Sequence, residues 1–298
     1  MVSPARRREV VAQILREHPG VSERRACEIV GANRSSVRYR PCEKRACEEA
    51  LITRAIKSAC ARRHQRRYGY RRIAHVLRED GWLVNHKRVR RIMQQEGLLK
   101  APRKRKARAS GHSANSCTVL PAKHTDHVWT YDFVKIRLAD GSSLRMLSVV
   151  DEHSRFAMRP LIAKSIPAES VIDHLTELFL RHGAPKIMRS DNGSEFTAGE
   201  VTSWLGKLDV GCAFVAPASP WENGYVETFH DKLRDELLSL EVLFTRKEAE
   251  VAVVDWIGHY NHDRPHAGLG SLTPAAVRYG VAMMISVSSG PTQSNQQK

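Results

Sequence analysis

Three acidic residues in the second half of the sequence lie where predicted strands and a predicted helix could bring their carboxylates together. Asp132 interrupts a β-type run between Tyr131 and Phe133, where an unpaired carboxylate would be costly in a central strand. Asp191 follows a short strand in the segment SDNGSEF, and Glu227 lies one turn into a predicted helix in the segment SPWENGYVETF. Because sites form at strand ends in sheets of this kind, we expect the three residues to meet at one sheet edge.

Three carboxylates at one edge would repel each other unless a divalent cation held them. Mg²⁺ suits oxygen ligands and keeps water molecules that a substrate can replace. Two metal ions about 4 Å apart can activate a water or a 3′-hydroxyl and stabilise the leaving oxygen of a phosphodiester. Any one acidic residue in a strand is more often structural than catalytic, so the interpretation depends on the three together.

The spacing of these acids makes the pattern specific. There are 35 residues between Asp191 and Glu227, and Arg234 follows Glu227 by seven positions. Together with Asp132 and the segments WTYDFV, SDNGSEF, SPWENGYVETFHDKLRDE and YNHDRPHAGLGSLTPAAV, this sequence resembles the integrase-core transposases of bacterial insertion sequences, the OrfB type, which are relatives of retroviral integrase. The segment YGYRRI…VNHKRVRRIM resembles the helical DNA-binding region that precedes this core.

The resemblance implies a ribonuclease-H-like core with two bound Mg²⁺ or Mn²⁺ ions. It implies that Asp132, Asp191 and Glu227 are the catalytic and metal-binding residues. The implied partners are the terminal inverted repeats of the element, target DNA, further copies of the chain bound to DNA and, in many members, the product of an upstream reading frame. The chain would then be the second part of a frameshift fusion. We expect a cytoplasmic, nucleoid-associated bacterial protein.

Polar residues near the acids are predicted to contact DNA. Arg234 lies two helical turns after Glu227 on about the same face, although it could instead pair with a neighbouring acid. Asn192 shapes the loop that follows the second acid. Asn223 precedes the catalytic helix, where it could either cap the helix or touch DNA.

The charge distribution separates two parts of the chain. The net charge is +16, with +21 in residues 1–123 (31 basic, 10 acidic) and −5 in residues 124–298 (17 basic, 22 acidic). A strongly basic part is typical of proteins that bind DNA phosphates. The six cysteines form no C-x2-C pair, which favours reduced thiols over a zinc site. The sequence contains neither a secretory signal nor an apolar run long enough for a membrane span.

The basic part is predicted to contain two helical units and a linker. Residues 1–43 have the pattern of a helix-turn-helix, with a plain helical hairpin as the alternative, and residues 44–100 form a second helical region. Residues 101–125 are a basic linker without an apolar period. The predicted DNA-contacting side chains of the two helical units are Arg34, Arg38, Lys87, Arg88 and Arg91.

The second part is predicted to be α/β. Residues 126–282 show three strands followed by helix, strand, helix, strand and helix, which indicates a mixed five-stranded sheet with helices on both faces. The first two strands should form a hairpin around ADGSS, and the third strand should span the segment RFAMRPLIA. Residues 283–298 are predicted to be a disordered tail.

Two other functions are compatible with parts of this pattern. A helix-turn-helix regulator would explain the basic part, but the three acids and their spacing would then be coincidental. Another ribonuclease-H-like nuclease would share the acids but would not need a long basic helical region. A retroviral-type integrase would carry a His-His-Cys-Cys zinc module, which this sequence lacks.

Overall fold

The computed structural model describes residues 4–38, 43–100, 121–190, 199–214 and 224–280. The chain divides into two compact units, Met1–Lys57 and Ser58–Lys298. The predicted tail and most of the predicted linker lie outside the described residues, and the predicted domain boundaries remain predictions. Within the described part, no helix has both the length and the apolar character that a membrane span requires.

Short helices pack around a small core in the first unit. Ser22 caps the second of these helices, because its hydroxyl accepts a hydrogen bond from the backbone N–H of Arg25. Gly31 ends that helix in the left-handed region at φ 65°, as the predicted turn requires. Val11, Ala26 and Cys27 are buried between the helices. The helices are α1 (Pro4–Glu17), α2 (Glu23–Val30) and α3 (Arg34–Arg38).

A second pair of helices follows α4 (Glu43–Ala61) and a short 3-10 turn at Arg63–Gln65. Helix α5 (Tyr70–Glu79) and helix α6 (His86–Gln95) each bury one apolar face. Asn85 caps α6 by accepting a hydrogen bond from the N–H of Lys87. The helical character predicted for this segment is therefore confirmed.

The sheet has five strands in the order β3-β2-β1-β4-β5. Strands β1, β2 and β3 are antiparallel, whereas β4 runs parallel to both β1 and β5. This topology confirms the predicted mixed sheet. The strands are β1 (Val128–Arg137), β2 (Ser143–Asp151), β3 (Leu161–Ala163), β4 (Ile187–Ser190) and β5 (Gly211–Phe214).

Helices cover both faces of this sheet. One face packs against α7 (Ala168–His182) and α8 (Gly199–Lys207), whose Leu175 and Leu205 are fully buried. The other face packs against α9 (Gly224–Leu233) and α10 (Arg246–His262). A last short helix, α11 (Pro274–Tyr279), has Thr273 as its N-cap.

The third strand is shorter than predicted. The regular ladder with β2 contains only Leu161–Ala163. Before it, the chain leaves β2 through a turn, and Ala157 makes an isolated antiparallel bridge to Val150. Arg155 adopts φ 64° in that turn, a left-handed conformation that a regular strand does not contain. Pro160 has no N–H to donate to a ladder, which is consistent with a strand that begins only after it.

A π-helical turn at Arg234–Leu238 extends α9 and places an acidic side chain in the interior. Glu236 in this turn is buried, and its carboxylate accepts two hydrogen bonds from Arg264, at 2.8 and 2.9 Å. Arg72 of α5 contacts the same carboxylate at 3.2 Å. We call these three residues the Glu236 triad; it connects α5, the π turn and the chain that follows α10.

Candidate active site

Asp132 lies on the face of the sheet that α9 covers. Side chains alternate between the two faces of a strand, and Val134 and Ile136 of β1 belong to the core cluster under α9. Asp132 has the same parity as these two residues. Directly opposite it on β2 is Ser148, its partner in the antiparallel register. The two polar side chains therefore face α9 together.

His230 of α9 contacts both of these side chains. Its Nε2 lies 3.0 Å from the Ser148 hydroxyl, and its Nδ1 lies 3.6 Å from a carboxylate oxygen of Asp132. If the Ser148 hydroxyl donates to Nε2, the ring proton of His230 is on Nδ1. The Nδ1–H then faces the carboxylate of Asp132, so both contacts are attractive. Burial, and to a smaller degree the charge of Arg234, lowers the pKa of His230 to about 3, so the imidazole is neutral near pH 7.

Glu227 lies in the first turn of α9 and is exposed to solvent. It precedes His230 by three positions, and residues so spaced on a helix have Cβ atoms about 5–6 Å apart. His230 therefore lies beside Asp132 of β1 and one helical turn after Glu227 of α9.

A buried ion pair spans the strands next to Asp132. Arg189 of β4 donates to both carboxylate oxygens of Glu152, at 2.7 and 2.9 Å, and both side chains are buried. Glu152 directly follows β2, and Thr130 of the intervening strand β1 is the register partner of Arg189. The Glu152–Arg189 pair therefore bridges the strands on both sides of β1, two residues before Asp132. Burial raises the pKa of Glu152 to about 7, although the charge of Arg189 acts in the opposite direction.

A tight turn after β2 is built around Asp151, which is fully buried. One carboxylate oxygen of Asp151 accepts hydrogen bonds from the backbone N–H and the hydroxyl of Ser154, and the other accepts one from the N–H of Asp126. The same turn contains Arg155, whose guanidinium lies 3.7 Å from the ring centroid of Tyr225 on α9. The turn therefore holds Arg155 against the first residues of the helix that carries Glu227.

Other predicted site residues lie outside the described residues or at some distance from this junction. Asp191, Asn192 and Asn223 belong to segments that the structure does not describe. Consistent with this, no group of three potential metal ligands is found among the described residues. Arg234 begins the π turn, is more than half exposed and lies 3.8 Å from Asp231, the neighbouring acid that the sequence offered as an alternative partner.

The predicted DNA-contacting residues of the helical units lie on α3 and α6. Arg34 is exposed on α3, and Arg38 on the same helix pairs with Glu23 at 2.8 Å. On α6, Lys87 and Arg91 are exposed and Arg88 is half-buried. Their contact with DNA remains a prediction.

Sequence reasoning did not single out His230, Ser148, Arg189 or Glu152. His230 carried a usable signal, since it lies between Phe229 and Leu233, on the inward side of a helix that also carries a candidate catalytic acid. Ser148 and Glu152 become recognisable only when the register of the sheet is known.

Comparison with known proteins defines the class of this arrangement. Family models described as "Integrase core domain" match residues 122–220 and 208–274, and a model described as "HTH-like domain" matches residues 46–107. The five-stranded part of the chain is therefore an integrase core, preceded by a helix-turn-helix-like domain. The catalytic core of HTLV-2 integrase, solved in complex with magnesium, aligns with 53% of this chain and 99% of its own at a TM-score of 0.42 and 16% identity.

Full-length relatives make the assignment more specific. A protein of insertion element IS407 from Burkholderia multivorans is 33% identical over 88% of this chain and 92% of its own length. A protein of insertion element IS476 from Xanthomonas euvesicatoria is 32% identical over 92% of this chain and 77% of its own length. The transposase of insertion sequence element IS904 from Lactococcus lactis is 26% identical over 79% and 96%. The chain belongs to the insertion-element transposase family with an integrase core.

Proposed function

We propose that this protein cleaves DNA strands at the ends of an insertion sequence and joins them to target DNA by in-line phosphoryl transfer. Asp132, Asp191 and Glu227 are the catalytic carboxylates in this proposal. The observation that supports it best is the junction of β1 and α9, where His230 lies 3.6 Å from Asp132 and one helical turn after Glu227. Asp191 enters by sequence, as the second acid of the pattern in which 35 residues separate Asp191 from Glu227.

The donor set at this junction fits a divalent cation such as Mg²⁺ or Mn²⁺. Both described candidates are carboxylates, and both are accessible, since the side chain of Asp132 is 21% exposed and Glu227 is exposed. His230 is neutral near pH 7, so it adds no charge that would repel a cation. Together with Asp191, these acids would hold the ions, which supply activation of the nucleophile and stabilisation of the leaving oxygen when bound.

The other parts of the proposal concern DNA. The two helical units bind the terminal inverted repeats, with Arg34, Arg38, Lys87, Arg88 and Arg91 among the contacts. Their support is the charge of +21 in residues 1–123, which favours phosphate binding. Several copies assemble on the DNA, and the product of an upstream reading frame is a further partner.

Substitution of the carboxylates tests this function. We expect Asp132→Asn and Glu227→Gln each to reduce cleavage and joining of a labelled inverted-repeat end in Mg²⁺ by at least a hundredfold, because an amide keeps the shape of the acid but lacks its charge. A gel-shift assay should show nearly unchanged DNA binding. The same substitutions permit a comparison with Asp191→Asn, for which we expect the same loss.

The matched control is Asp173→Asn, an exposed acid on α7, which packs on the opposite face of the sheet. It should retain full activity. Strand transfer that survives in either carboxylate variant would exclude that residue from catalysis, whereas loss of DNA binding would show a structural effect.

A further inference from the structure

A basic cleft lies on the flank of α9 that faces away from His230. Its volume is about 550 Å³, and it is enclosed by α9, the turn after β2, the residues that follow α10 and one residue of α5. We call it the α9 cleft. Its charged and aromatic lining residues are Arg72, Arg155, Lys232, Arg264, Tyr225 and Tyr260.

The charge of the α9 cleft is positive. Of the described residues that line it, none is acidic and four are Arg or Lys. The carboxylate of Glu236 pairs with two of them, Arg72 and Arg264. Among the described residues that line the cleft, the charged side chains are therefore all basic. His266, which also lines the cleft, is neutral at pH 7 because burial lowers its pKa to about 3. A ligand with negative charge is therefore favoured.

The shape and the aromatic lining narrow the choice of ligand. A cleft of about 550 Å³ accepts a group of the size of one nucleotide, but a double helix is far too wide for it. Tyr225 provides aromatic surface, while Tyr260 is buried and closes the inner wall of the cleft. Basic grooves with aromatic side chains are the usual way to hold an unpaired nucleic-acid strand. An acidic peptide would satisfy the charge alone and would gain little from the rings.

The α9 cleft is held in shape before any ligand binds. The guanidinium of Arg155 is stacked 3.7 Å from the ring centroid of Tyr225, and its backbone belongs to the turn that Asp151 and Ser154 fix by buried hydrogen bonds. An ordered cation loses little entropy on binding a phosphate. Lys232 lies two turns after Tyr225 on the same side of α9 and completes this wall.

The position of the α9 cleft relates it to the proposed catalytic junction. Tyr225, Thr228 and Lys232 line the cleft, whereas Glu227 and His230 lie on the opposite flank of the same helix. A helix is about 10 Å across with its side chains. A strand that contacts Glu227 therefore reaches the cleft after a short crossing over the exposed surface of α9.

We propose that the α9 cleft binds one unpaired nucleotide of a DNA strand, with its phosphate at Arg155 and Lys232 and its base against the ring of Tyr225. This proposal rests on the proposed function, since it assumes that the substrate is DNA. It adds a strand-binding site on the flank of α9 that faces away from the carboxylates.

Photocrosslinking of the full-length protein in EDTA tests this proposal without any cleavage. The probe is a 12-nucleotide oligo-dT strand with one 5-iodouracil, and mass spectrometry maps the crosslinked peptides. We expect a crosslink in the peptide that contains Tyr225, reduced at least fivefold in the double variant Arg155→Ala/Lys232→Ala. The matched control, Arg137→Ala/Lys207→Ala, removes two exposed cations elsewhere on the core and should leave the yield unchanged.

A charge-conserving variant separates binding from folding. Arg155→Lys/Lys232→Arg should restore at least half of the crosslink at Tyr225, and a 12-base-pair duplex without unpaired bases should give little crosslink there. The proposal is overturned if the peptide of Tyr225 is not crosslinked, if its yield is unchanged in the alanine variant, or if the duplex reacts equally well. These outcomes do not bear on the catalytic role proposed for the carboxylates. Conversely, survival of cleavage in Asp132→Asn would contradict that role but would not bear on nucleotide binding in the α9 cleft.

Discussion

The Glu152–Arg189 pair and the Glu236 triad both bury a carboxylate with arginine, but they differ in how the charge is balanced. Glu152 accepts hydrogen bonds from one guanidinium, that of Arg189, and burial raises its pKa to about 7 despite the charges of Arg189 and Arg155. Glu236 receives two guanidinium groups, of which that of Arg264 binds both carboxylate oxygens. With one arginine bound, the Glu152 carboxylate has a pKa near physiological pH and is partly protonated there. With two arginines bound, the Glu236 carboxylate is surrounded by more positive than negative charge.

The two clusters also differ in what they connect. The Glu152–Arg189 pair ties strands of one sheet together near Asp132. The Glu236 triad ties α5, from the helix-turn-helix-like domain, to the integrase core. We therefore expect the Glu236 triad to contribute most to the free energy of unfolding. The contribution of the Glu152–Arg189 pair should be smaller and should depend on pH.

The largest effect is expected for Arg264→Met. This change leaves buried Glu236 with only Arg72, which is 29% exposed, and breaking a buried pair from one side typically costs about 3–5 kcal/mol. Chemical denaturation at pH 7.5 measures the free energy of unfolding. Arg246→Met, which removes an exposed arginine from α10, is the control and should cost less than about 1 kcal/mol. Equal losses in the two variants would refute the importance of the triad.

A smaller, pH-dependent effect is expected for Arg189→Met. The folded pKa of Glu152, about 7, lies above its ordinary value of 4.5, so its contribution to stability is fully present below pH 4.5 and is lost as the pH rises through 7. Removal of Arg189 raises this pKa further. The variant should lose about 3 kcal/mol at pH 8 but only about 1 kcal/mol at pH 5.5, because a protonated Glu152 lacks the buried charge.

Unfolding curves of the wild type and the variant from pH 5.5 to 8 measure this difference. Glu152→Gln provides the control, since it removes the titrating group and its unfolding free energy should lack this pH-dependent part. A loss in Arg189→Met that does not change with pH would show that Glu152 stays charged throughout the range.

The smallest effect is expected for Arg72→Met. Arg264 retains its hydrogen bonds to Glu236, and the lost contact of 3.2 Å involves a partly exposed arginine, so about 0.5–1.5 kcal/mol is expected. Denaturation beside Arg264→Met shows whether the two arginines are unequal. If Arg72→Met cost as much as Arg264→Met, the comparison between one and two partners would have to be abandoned.

Local signals in the sequence were sufficient for much of the fold. Ser22 and Asn85 are of residue types that favour helix caps, and both cap helices, because a cap depends on a side chain and the backbone a few residues away. The order of strands and helices in the core also follows from apolar periodicity. The third strand was predicted too long, since β-propensity does not reveal that Arg155 adopts a left-handed conformation in a tertiary turn.

Contacts between distant segments were not predictable. Asp132 was identified from its place in an apolar strand, but its neighbour His230 depends on how α9 packs across the sheet. Apolar residues recur at helical spacing in α9 and the turn after it, and Phe229, Leu233 and Leu237 are buried. Leu240 continues this series, yet it is only half-buried. The π turn explains this, because its wider turn shifts the residues after it relative to a regular helix.

The short outer strands of the sheet affect the tendency of the protein to aggregate while it folds. Among the described residues, strand β3 has three residues and β5 has four, and these two form the edges of the sheet. Long unpaired edges offer backbone N–H and C=O groups on which another chain can add a strand, which is a common start of aggregation. Edges this brief leave few such groups, while the long strands β1 and β2 are enclosed between neighbours. The architecture therefore limits strand-by-strand association of nascent chains.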